Sequence, residues 1–116
     1  MPHNAKIFIA EDDPRLLNTE KIMLRIAGHE VVLEALSLDK ALDNVNFAKT
    51  KKVDVAVLDG NLGNGLSDGR QIADALRKEV PGVRIVALSG HPTTWGDLNL
   101  RKPGDIRNIV ETITAL

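Results

Sequence analysis

The sequence predicts an α/β fold, a doubly wound parallel sheet with helices on both faces. Short apolar runs alternate with longer stretches whose apolar residues recur at helical spacing. The runs are rich in Val, Ile and Leu, as strands buried on both faces require. Most of them end at a polar or charged residue.

The first run, Ile7–Ala10, stops at Glu11-Asp12-Asp13, and Pro14 follows, suited to a helix's first turn. Leu16, Leu17, Met23, Leu24 and Ala27 fall on one side of a helix that should end at Gly28. Val31–Leu33 reads as a second strand. Leu38, Ala41, Leu42 and Val45 form a helix face at i, i+3, i+4, i+7. Val53–Leu58 is a third strand ending at Asp59. A glycine-rich loop follows, then Ile72, Ala73 and Leu76 mark a helix that ends before Pro81-Gly82. Val83–Leu88 is a fourth strand ending at Ser89, and Ile106, Ile109, Val110 and Ile113 mark a last helix. Only twelve residues separate Ser89 from Lys102, too few for a full helix plus a strand. A loop or single turn leading into a short edge strand, Leu98–Arg101, fits there.

The 116 residues are expected to form one domain spanning 1–116, long enough for a real core. A net charge of −1 gives no electrostatic reason to expect a nucleic-acid or membrane-surface partner. The absence of cysteine excludes disulfides, thiol catalysis and thiolate metal sites together. The start, Met1-Pro2-His3-Asn4, lacks the charged-then-apolar pattern of a secretory signal, and no apolar stretch approaches the roughly 18 residues of a membrane span. A cytoplasmic protein is expected. Aromatics are limited to Phe8, Phe47 and Trp95, so the core should be aliphatic and base-stacking platforms are not expected.

In an open parallel sheet, ligands bind beyond the carboxyl ends of the strands, where strand order reverses. At those ends stand Glu11-Asp12-Asp13, Asp59, Ser89 and Lys102-Pro103. Carboxylates gathered on one rim repel each other unless a cation sits among them, and a hard divalent ion with oxygen ligands, Mg²⁺, answers that need. Lys102 adds a second positive charge and Ser89 a hydroxyl donor. Together they make a pocket for a dianionic phosphoryl group carried on a carboxylate, an aspartyl-phosphate type of intermediate.

The order of an acidic cluster, an Asp closing strand three, a Ser after strand four and then Lys-Pro resembles the response-regulator receiver domains of two-component signalling, over essentially the whole chain. The resemblance implies a flavodoxin-like, five-stranded parallel sheet in the order 2-1-3-4-5, here with the fourth helix truncated or replaced by a loop. It implies that Asp59 is the phosphoacceptor and that Asp12 binds Mg²⁺ directly, with Glu11 acting partly through water. It implies further that Asn61 lends a backbone carbonyl to the metal, that Ser89 follows the phosphoryl group, that Lys102 pairs with it, and that the Lys102–Pro103 peptide is cis.

Two departures stand beside these matches. The loop GNLGNGLSDG, Gly60 to Gly69, is longer than the family's usual one, and the Ser89–Lys102 segment is shorter. Asn99 occupies the position, three before the lysine, where the family carries its aromatic switch residue. Trp95 is the only large aromatic nearby. The segment after Ser89 is therefore expected to be a flexible loop carrying Trp95. Asp13 reads as a helix cap rather than a ligand. Asp54 reads as structural, His91 as a solvated loop histidine, and His3 and His29 carry no signal.

The functional expectation is a single-domain response regulator, not a turnover enzyme, that receives its phosphoryl group from a histidine kinase or histidine phosphotransfer protein. Output would go by protein contact with a downstream target or by phosphate relay, and a homodimer is a further form the chain can take. A degenerate receiver that binds partners without phosphorylation is the alternative. A phosphohydrolase of the Asp-nucleophile type would need a second Asp two positions after the nucleophile, and that position is Asn61.

Overall fold

The computed structural model describes residues 4–116; Met1, Pro2 and His3, read above for a leader and for a signal-free histidine, lie outside the described residues. Five strands, β1 (Lys6–Ala10), β2 (Glu30–Ala35), β3 (Val55–Leu58), β4 (Arg84–Ser89) and β5 (Leu98–Arg101), form one sheet. Every neighbouring pair is parallel, in the order β2-β1-β3-β4-β5. The helices are α1 (Pro14–Ile26), α2 (Leu38–Ala48), α3 (Asp68–Glu79) and α4 (Ile109–Thr114), the last entered through a 3₁₀ turn at Ile106–Asn108.

Period-two alternation along the strands sorts the core into two layers. Phe8, Ala10, Ala56, Leu58 and Ile85 face one way, onto α2 and α3 through Val45, Ile72 and Leu76. Ile7, Ile9, Val55, Val57, Val86 and Leu88 face the other way, onto Leu17 and Leu24 of α1 and Ile109 and Ile113 of α4. Burial on both faces explains the unbroken apolar runs of β1, β3 and β4.

Helix starts follow their caps. The Asp13 carboxylate accepts from the Arg15 and Leu16 amides with Pro14 behind it, so Asp13 caps as expected. Ser37 caps α2 by accepting from Lys40 N. Beyond α1 the chain turns at Gly28, whose φ of +94° favours a residue without Cβ.

β1 and β2 each start one residue earlier than the sequence expectation, at Lys6 and Glu30, and two strands start later. β3 begins at Val55 rather than Val53, and Asp54, structural as expected, accepts the Lys6 amide on its carboxylate at 2.9 Å. β4 begins at Arg84 because the Val83 amide is turned back to Val80 O.

Between β4 and β5 there is no helix, as the twelve-residue spacing implied. The segment is braced, however, rather than a free loop. Asn99 accepts from Thr93 Oγ1 and the Gly96 amide and donates to Gly96 O. Asp97 exchanges two bonds with the Ile85 backbone, one through its own amide and one through its carboxylate. The Trp95 ring lies against Gly69, where an added Cβ would come within 2.7 Å of Cη2 and Cζ2 and would also strike Asp59 O. No described helix is long and apolar enough to cross a membrane.

Candidate functional site

Strand order reverses between β1 and β3, and the polar residues that close these strands meet there. Asp59 follows directly on β3, and its amide bonds to Ala10 O, so its position is fixed by the β1–β3 ladder. Its carboxylate is 5% exposed. Oδ2 lies 3.0 Å from Lys102 Nζ, and Oδ1 accepts the Asn61 amide at 3.2 Å. Lys102 reaches this point because β5 ends beside β4 and its amide bonds to Ser89 O. The Lys102–Pro103 peptide is cis.

Lys102 Nζ also lies 3.0 Å from Glu11 Oε1, while Glu11 Oε2 accepts the Asp13 amide. One ammonium therefore joins two buried carboxylates. Burial pulls the Lys102 ammonium's pKa down, but its hydrogen bonds to Asp59 and Glu11 outweigh burial and leave it above its ordinary value. Burial pushes Glu11 up to about 7, against the bonds from Lys102 and Asp13, and the Asp59 charge adds to the rise.

Carboxylate oxygens of Glu11, Asp12 and Asp59 lie within 4.8 Å of one another. Asp12 is exposed at the mouth, and Asn61 lines the same pocket as Asp12, Asp59, Ser89 and Lys102. The six residues singled out in the sequence are thus brought together. An all-oxygen donor set with a partly exposed edge suits a hard cation that keeps several waters, which is the habit of Mg²⁺.

A model of the response regulator receiver domain matches residues 7–104. The chain belongs to the response regulator receiver family. The fold of this receiver domain is that of a CheY-like receiver from Methanospirillum hungatei, at 21% identity and a TM-score of 0.81, covering 97% of this chain and 92% of the other. The receiver of the hybrid histidine kinase CckA is similar too, at 26% identity and a TM-score of 0.78, covering 95% and 96%. The CheX–CheY–BeF₃–Mg²⁺ complex from Borrelia burgdorferi matches at 12% identity and a TM-score of 0.81, covering 96% and 87%. Comparison with curated proteins returns no significant sequence match.

Three residues of the receiver site escaped the sequence reading. His91, expected in solvent, is half-buried, and its Nδ1 lies 2.9 Å from Ser89 Oγ. Asp68, buried at the start of α3, accepts the amides of Leu62, Asn64 and Gly65 on Oδ2 and so shapes the long loop beside Asn61. Nothing in the local sequence marks an Asp as the hub of three backbone amides. The third is Glu20, 1% exposed, whose Oε2 has no hydrogen-bond partner among the described residues. Here a signal existed: Glu20 lies three positions after Leu17 and four before Leu24, on the apolar stripe of α1.

Burial pushes Glu20 up to about 8, with the Glu11 charge adding to the rise and Lys102 opposing it. A proton on either member gives the Glu11–Glu20 pair a hydrogen bond that two carboxylates cannot make. The pair therefore keeps a proton in the folded state, most firmly on Glu20, at pH values where the unfolded chain has released it, above about 4.5. More protons bound by the folded state means stability falls as pH rises, here between about pH 4.5 and 8. In the absence of divalent metal, the wild type is expected to lose on the order of a few kcal/mol across that window. Glu20→Gln, which keeps the shape and removes one titration, should lose distinctly less. Urea unfolding at pH 5 and 8.5 checks this, and equal losses in the two proteins would overturn the assignment of a protonated Glu20.

Proposed function

We propose that this receiver domain, residues 1–116, accepts a phosphoryl group on Asp59 from a histidine kinase or histidine phosphotransfer protein, with Mg²⁺ required. The phosphorylated state is then read by contact with a protein target. The observation that carries the proposal is the Asp59 carboxylate itself: nearly buried, fixed at the end of β3, and held on Oδ2 by Lys102 at 3.0 Å. An oxygen of Asp59 forms the new O–P bond as the donor's N–P bond breaks, and the phosphoryl oxygens take up the charge. Lys102 stands where it can neutralise part of that charge, and Ser89 where it can donate to an oxygen.

Asp12 and Asp59 would hold Mg²⁺ directly, Glu11 through water and Asn61 by its carbonyl. Bound there, the ion supplies neutralisation of the phosphoryl oxygens. Glu11's engagement by Lys102 and the Asp13 amide favours the indirect role for it. The Borrelia complex, whose description names BeF₃ and Mg²⁺ together, lends this support by analogy of fold. The gathering of Asp59, Ser89, Lys102 and the acidic pair in one pocket favours a phosphorylation cycle over a phosphorylation-independent binding module. The braced Ser89–Leu100 segment, with Trp95 packed beside the acceptor, would carry the change to a partner.

Intact mass after incubation with acetyl phosphate tests the proposal. One phosphoryl group is expected with Mg²⁺ and none with EDTA. Labelling that ignores Mg²⁺, or none in either condition, would sink it.

A further inference from the structure

His91 is half-buried, and its ring occupies the hydroxyl that the phosphoryl group would need. Nδ1 lies 2.9 Å from Ser89 Oγ, and the His91 amide approaches the same oxygen at 3.4 Å. The ring lies against Gly60, the residue after the acceptor. A Cβ there would come within 2.6 Å of His91 Cε1, 2.9 Å of Nε2 and 2.7 Å of Ser89 Oγ. Ser89 has no exposed surface, and both residues line the pocket that holds Asp59 and Lys102.

A serine hydroxyl has one proton to donate. In the ring tautomer that carries its proton on Nε2, the hydroxyl proton goes to Nδ1, and the His91 amide faces a lone pair of the same oxygen. A phosphoryl oxygen on Asp59 requires the same proton. In that tautomer the two bonds exclude each other. We infer that His91 rests in this tautomer and is a positioning residue that holds the Ser89 hydroxyl while Asp59 is bare, so that phosphoryl entry exchanges the Ser89–His91 bond for a Ser89–phosphoryl bond. This rests on the reading of Asp59 as phosphoacceptor.

A bond present in only one of two states weakens whatever favours the other. Its removal should therefore strengthen occupancy by about two- to ten-fold, the range of one net hydrogen bond. Beryllofluoride with Mg²⁺ is the probe, titrated into the full chain and followed by amide NMR shifts. His91→Ala is expected to bind it about two- to ten-fold more tightly than wild type. His91→Asn, whose side-chain oxygen can stand near the place of Nδ1, should stay close to wild type. In a Ser89→Ala background, His91→Ala should change nothing. The ¹⁵N signal of His91 Nδ1 in wild type should move when beryllofluoride binds, as its partner leaves.

Weaker or unchanged binding by His91→Ala overturns the inference, as does an effect that persists in the Ser89→Ala background. If wild type neither binds beryllofluoride nor takes up phosphoryl from acetyl phosphate, the acceptor reading has failed and the exchange falls with it. Uptake by wild type with a null His91 effect overturns the exchange alone.

Discussion

Asp59→Asn is expected to abolish phosphoryl uptake, by at least about 100-fold relative to wild type, the scale on which loss of a nucleophile is felt. The substitution keeps size and shape and replaces a nucleophilic oxygen with an amide. Oδ1 can still accept the Asn61 amide, so the loop start should stay in place. The stability effect should be opposite in sense to that of a damaged core. Asp59's charge raises the pKa of Glu11, so removing it relieves repulsion between two buried carboxylates, although Lys102 loses one of its two partners. A variant that is folded, no less cooperative in urea, and unlabelled by acetyl phosphate with Mg²⁺ is the predicted outcome. Equal labelling of both proteins by intact mass would mean that another side chain is the acceptor.

Lys102→Ala should produce the second largest effect, in two opposite directions. Removing one charge that faces the reacting phosphoryl group is expected to slow uptake by roughly 100-fold, comparable to deleting one donor to a developing anion. Mg²⁺ affinity should rise rather than fall, because the ammonium sits 3.0 Å from both Glu11 and Asp59 and repels a cation there. Its side chain is only 17% exposed, so this is no ordinary surface lysine. Metal-free Lys102→Ala should be less stable by about 1–3 kcal/mol, since two buried carboxylates lose their partner, and Mg²⁺ should return part of that loss. Titration with Mg²⁺, phosphorylation rates and urea unfolding separate the three effects. Normal uptake in the variant would remove Lys102 from the site.

The residues behind these effects differ in how visible they were along the chain. Asp59, Ser89 and Lys102 each close or follow a strand, and a residue after an apolar run in a parallel sheet has little choice of location. Their convergence could be expected because the ends of neighbouring parallel strands lie together. Glu20 could have been flagged by the stripe it interrupts, but not its proximity to Glu11, which depends on how α1 packs across the sheet.

The alternation of elements, the two-layer core and the rim residues were all legible along the chain. These follow from periodicity, capping and strand ends, which are local properties of the chain. The missing helix between β4 and β5 was equally legible, because twelve residues cannot hold it. The brace on that segment, the amide cradle of Asp68 and the place of His91 arise only when distant segments pack together. Asn99 and Trp95 could be seen as departures, but which atoms they meet depends on β5 lying beside β4 and on Gly69 of α3 lying against the Trp95 ring. The position of His91 shows the reason most plainly. Two residues past a strand, its ring could face water or the pocket with equal local ease. The bare Cα of Gly60, thirty-one positions earlier, leaves the space its ring fills against Ser89. Contacts of that kind are made between segments that have no pattern in common, so no local reading of either segment contains them.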